Sequence, residues 1–128
     1  MTGEITLETH IQDVVNVFKW EDIESATLVA HSYGGWVVSG AAERLQGRLA
    51  ALAYVDAFLP EEGQRGYDLL NPQQKAQFDE ARAKGEVSRA GPASAALRIQ
   101  RPEDAAWVDA HITPQPLGVS MQAVRING

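Results

Sequence analysis

The sequence predicts an α/β protein built around a pair of parallel strands. Two short apolar runs containing β-branched or aromatic residues, "ATLVA" at 26–30 and "LAALAYVDA" at 49–57, have the texture of strands buried on both faces. Between them Val37, Val38, Ala41, Ala42 and Leu45 fall on one helical face. The connections on either side are short. A strand, a helix and a second strand joined this tightly form a βαβ unit, with parallel strands and a right-handed crossover.

The remaining elements follow in chain order. Leu7, Ile11, Val14, Val15 and Phe18 recur at helical spacing and predict a helix over 7–19. Thr6 is placed to cap it, and Glu8 suits the positive end of its dipole. "WEDIES" is a polar connection into the first strand. Gly47 closes the central helix, with Arg44 near its negative end. Beyond "FLPEEGQ" the texture changes. "NPQQKAQFDEARAKG" predicts a surface helix, with Asn71 as N-cap, Pro72 at the first helical position and Gly85 as the stop. "EVSRAGPASAALRIQR" has no period and reads as a loop. "PEDAAWVDAHIT" predicts a short helix with Trp107, Val108, His111 and Ile112 on one face. The last stretch, "PQPLGVSMQAVRING", is weakly strand-like.

Composition narrows the function classes. The chain has 128 residues, 45% of them hydrophobic and 22% charged, as in an ordinary globular domain. A net charge of −6 without any Lys/Arg run argues against nucleic acid and against anionic membranes as partners. With no cysteine there is no disulfide or thiolate metal site, and no pair of histidines has ligand spacing, so no metal is expected. The opening "MTGEITLETH" lacks the apolar core of a signal peptide, and the expected location is the cytoplasm.

The chemistry concentrates at Ala30-His31-Ser32-Tyr33-Gly34-Gly35. A residue between a strand and the following helix lies at the carboxyl end of a parallel strand, where ligands bind in open α/β sheets. The pattern fits the nucleophile elbow G-x-S-x-G, with Ala30 in place of the first glycine. Small flanking residues are needed because strand and helix approach closely there, and alanine is small enough. In this reading Ser32 is the nucleophile, and the Tyr33 amide donates to an oxyanion. A serine that merely caps the helix is the plain alternative.

Around these residues the segment "THIQDVVNVFKWEDIESATLVAHSYGGWVVSGAAERLQGRLAALAYVDAFLPEEGQ" resembles the central part of an α/β-hydrolase. More narrowly it is similar to bacterial esterases related to plant methylesterases of the salicylate-binding type and to hydroxynitrile lyases. "HSYGGWVVSGAAER" and "YVDAFLPEEGQ" carry the likeness most specifically, and "WVDAHITPQPL" resembles the cap of the same group. The resemblance implies a partial α/β-hydrolase fold with the core at 1–57, a helical cap at 58–118 and the start of a return to the core at 119–128. It implies cofactor-independent cleavage of small apolar or aromatic esters through an acyl-enzyme. Phe58, Leu59 and Trp107 are its candidates for the pocket wall, with core or cap packing an equal account of each, and His31 for a substrate contact beside the elbow.

The same resemblance places the catalytic histidine and acid beyond the cap, and a second oxyanion donor upstream. The chain is therefore expected to be a central piece, inactive alone. The histidines present do not replace that base. Strand alternation turns His31 away from Ser32, His10 is expected on the polar edge of the first helix, and His111 belongs to the cap. Asp56, at the end of the second strand, is an alternative acid, or else it closes the following turn. Strands whose usual neighbours are absent leave unpaired edges, so self-association is expected. A hydroxynitrile-lyase activity of the complete relative, and a non-catalytic remnant that binds a ligand or pairs with another strand, are the other readings.

Overall fold

A computed structural model describes residues 4–127. Helix α1 (Leu7–Trp20) leads into strand β1 (Ala26–Ser32), helix α2 (Gly34–Ala42) with a 3₁₀ turn at Glu43–Leu45, and strand β2 (Leu49–Ala57). Helix α3 (Pro72–Ala83), the two-residue strand β3 (Ser88–Arg89), helix α4 (Pro102–His111) and the two-residue strand β4 (Gln115–Pro116) follow. Further 3₁₀ turns lie at Gly66–Leu69 and Leu117–Ser120.

The βαβ reading holds in its pairing. β1 and β2 are parallel, with Leu28 beside Leu52 and Ala30 beside Tyr54. The register slips at the end of both strands: His31 pairs with Val55 but Ser32 pairs with Ala57, so Asp56 is an extra residue. The start of α1 is also as expected. Thr6 is its N-cap, and the Thr6 N–H donates to Thr9 Oγ1 at 3.2 Å. Glu8 in the first turn is bound by both terminal nitrogens of Arg44, at 2.6 and 2.8 Å, which ties α1 to the end of α2.

The core lies on one side of the strand pair. Leu7, Ile11 and Phe18 of α1 meet Trp36, Val37 and Ala41 of α2, with Leu45 and Val124 completing the cluster. Ala26, Leu28 and Leu49 pack onto it from the strands. Gly40 lets the two helices close, since a Cβ there would sit 2.3 Å from Ile11 Cδ1.

The expectation that both strands are buried on both faces is corrected. Ala30 is buried, but Val29 and Val55 are 59% and 56% exposed. The physical reason is direct. Residues at alternate positions face opposite ways, and among the described residues α1 and α2 cover only the face carrying Ala26, Leu28 and Ala30. Thr27, Val29 and His31 lie on the other face, and all are exposed.

Residues 58–118 pack thinly. Phe78 is the buried residue of α3, and α4 has none. Local polar contacts shape this region. Asn71 Oδ1 accepts from Gln74 N–H at 2.8 Å, with Pro72 following as expected. Asp109 accepts from the Ser94 amide and hydroxyl at 2.8 and 2.7 Å, and these bonds hold its carboxyl below the ordinary value. The expected loop at 86–101 contains strand β3, which pairs antiparallel with β4. Two-residue strands carry no detectable periodicity. The weakly strand-like last segment resolves into β4, a 3₁₀ turn and an irregular stretch that buries Val124 completely.

Candidate functional site

Ser32 ends β1 with φ of 49°, in the left-handed region that residues with a Cβ rarely occupy. Holding a serine there costs about 1–3 kcal/mol, and such strain collects at functional positions. Tyr33 already has helical backbone angles, and α2 begins at the next residue. The free N–H groups of the first helical turn therefore lie beside the serine. Asp56, the extra residue just before the last position of β2, also has a positive φ, 44°.

Two close main-chain approaches fix this corner. The Phe58 N–H donates to the Ser32 carbonyl at 3.1 Å. A Cβ on Gly35 would lie 1.8 Å from the Phe58 carbonyl oxygen, so only glycine fits. By contrast a Cβ on Gly34 would meet Ala30 Cβ at an ordinary 3.8 Å. The small residue at 30 is thus matched to position 34, while the tightest spot is the second glycine, one residue past the motif.

Ser32 is exposed and lines a cavity of about 140 Å³. Tyr33, Trp36 and Phe58 line it from the core side. Leu69, Leu70, Val119 and Ser120 close it from the later segments, with Gly66, Arg89 and Gln115. Of the residues singled out in the sequence, Ser32, Tyr33 and Phe58 come together here. His31, Asp56, Leu59 and Trp107 do not line this cavity. Leu59 is 73% exposed. Trp107 is 63% exposed and stacks on His111, with ring centroids 4.5 Å apart.

His10 departs from expectation. It is half-buried, not solvated, and its Nδ1 lies 3.0 Å from the Tyr33 hydroxyl. Burial pushes the Tyr33 hydroxyl well above the ordinary tyrosine range, so it stays protonated. α1 thus reaches the residue after Ser32, a contact hidden in the sequence because it joins positions far apart. His111 Nδ1 is 2.6 Å from the Trp107 carbonyl on its own helix. Neither histidine lines the Ser32 cavity. Sequence reasoning missed Arg89, Gln115, Val119 and Ser120, which reach the cavity only through the β3–β4 pairing and the turn after it.

A strand ending in a strained serine, a glycine pair and an immediate helix define the elbow region of an α/β-hydrolase fold. Comparison with solved structures supports that class. The chain superposes with a TM-score of 0.80 on an extracellular α/β-hydrolase from a Paenibacillus species, described as sharing structural and functional homology with tobacco salicylic acid binding protein 2. Identity is 22%, and the match covers 97% of this chain but 53% of that one. The fold is accordingly a partial α/β-hydrolase fold. Among curated proteins, the chain is 43% identical over 83 residues to the carbendazim hydrolyzing esterase of Nocardioides sp. strain SG-4G, covering 61% of this chain and 34% of that protein. The chain thus spans about half the length of the structural relative and about a third of the esterase. No family model matches it. No helix among the described residues is long and apolar enough to cross a membrane, and the extracellular relative gives no support to a cytoplasmic location.

Proposed function

We propose that this chain is the nucleophile-bearing part of a serine carboxylesterase acting on small apolar or aromatic esters. The observation that carries the reading is Ser32 itself: a non-glycine residue at φ 49°, at the carboxyl end of a parallel strand, opening onto a cavity. The Ser32 hydroxyl attacks the ester carbonyl and gives its proton to a base. The Tyr33 amide holds the oxyanion, collapse expels the alcohol, and water hydrolyses the acyl-serine. Trp36, Phe58 and Leu69 offer the apolar wall, and residues 58–118 act as the cap. The base is a histidine supplied from outside these 128 residues, since none of His10, His31 and His111 lines the cavity.

A neutral fluorophosphonate probe tests this. Ser32 should label slowly in the isolated chain, faster when imidazole is added as an external base, and not at all after Ser32→Ala. Labelling that survives Ser32→Ala, or none in the presence of imidazole, would overturn the assignment. Rapid labelling without imidazole would show that the chain already holds its base.

The open sheet face and free strand edges support self-association of the isolated chain. Val29 and Val55 supply its exposed apolar surface. Sedimentation should show species larger than a monomer that decrease in Val29→Lys and Val55→Lys. A wild-type monomer at all concentrations would refute it.

A further inference from the structure

Arg89 stands apart from most arginines of the molecule. Arg44, Arg48, Arg65, Arg82, Arg101 and Arg125 each pair with a carboxylate. Among the described residues Arg89 has no such partner, and its guanidinium donates to the neutral Gln115 Oε1 at 3.2 Å. Its main chain is held by the β3–β4 ladder, where Arg89 and Gln115 are register partners, and by the neighbouring bond from Leu117 N–H to the Val87 carbonyl at 2.9 Å.

Arg89 is exposed, and it lines two cavities at once. One is the Ser32 cavity, walled mainly by Trp36, Phe58, Leu69, Leu70 and Val119. The other, about 280 Å³, runs under α3 between Phe78, Ala81 and Leu117. Leu70 and Arg89 border both. Among the described residues no acidic side chain lines either cavity, so no carboxylate there answers the charge. A guanidinium on an apolar cleft favours a planar anion, which accepts two of its N–H groups at once.

We propose that Arg89 binds a carboxylate on the substrate, so that the preferred esters are monoanionic, such as half-esters of dicarboxylic acids. This rests on the reading of the Ser32 cavity as an ester site and narrows its substrate class. The scissile carbonyl sits at Ser32, and the distal carboxylate reaches Arg89 where the two cavities meet. The overall charge of −6 disfavours anions, so a preference for one requires a local cation, the role assigned here to Arg89.

The test is binding, which needs no turnover. Ligand-detected NMR compares monomethyl glutarate with dimethyl glutarate on the intact chain near neutral pH. The half-ester should bind about tenfold tighter at low salt, and less so at high ionic strength. Arg89→Gln should erase that ratio, Arg89→Glu should reverse it, and Arg89→Lys should retain part of it. Equal affinity in the wild type, or a preference that survives Arg89→Gln, overturns the proposal. Labelling of Ser32 by the neutral fluorophosphonate is measured in parallel. Labelling without an Arg89-dependent preference leaves the esterase reading standing and removes this one. An Arg89-dependent preference without labelling establishes the carboxylate site and removes the nucleophile.

Discussion

Residues 7–57 and residues 58–118 are held together by different forces. The first segment meets itself through interlocked apolar side chains, with Leu7, Leu45 and Ala41 almost fully buried. The second is stitched by polar bonds between near neighbours: Arg65 with Asp68, Asn71 with Gln74, Arg101 with Asp104. The exposed ion pairs among them contribute little each. The contrast teaches that the serine corner is rigidly positioned, while the layer opposite it is loosely held and easily remodelled. A site between two such layers keeps its nucleophile fixed and leaves its pocket free to change.

Substitutions ordered by size sharpen that contrast. Gly35→Val places atoms against the Phe58 main chain and should cost more than about 4 kcal/mol, leaving no cooperative unfolding transition. Leu45→Ala, in the core, should cost about 3 kcal/mol in denaturant unfolding. In the outer region Asn71→Ala removes a helix cap and should cost about 1 kcal/mol, seen as reduced helical circular dichroism near its midpoint. Gly34→Ala and Trp107→Ala should each shift stability by no more than about 0.5 kcal/mol, since one has room and the other is exposed. A Trp107 effect as large as that of Leu45 would end the distinction between the two regions. So would a harmless Gly35→Val.

What the sequence made legible follows the same division. α1 and α2 announce themselves by apolar periodicity, and β1 and β2 by short apolar runs between turns. α3 was readable from its ends alone, through Asn71, Pro72 and Gly85. The β3–β4 pair was not, since two residues per strand leave no pattern and the partners are 26 positions apart. With that pairing went part of the cavity wall: Arg89 and Gln115 line the same cavity as Ser32 only through tertiary structure. The open face of the sheet escaped for a related reason. An apolar run shows that a strand is suited to burial, not whether anything covers it. His10 was misplaced because its partner, the Tyr33 hydroxyl, lies beyond β1 at the start of α2.

The approach of Phe58 to the elbow has a further consequence. The serine carbonyl takes its bond from the Phe58 amide, and the second glycine abuts the Phe58 carbonyl. Both contacts belong to the peptide and neither to the phenyl ring. Evolution is thereby free to exchange the ring, and with it the taste of the pocket, while the hydroxyl stays where the backbone has put it.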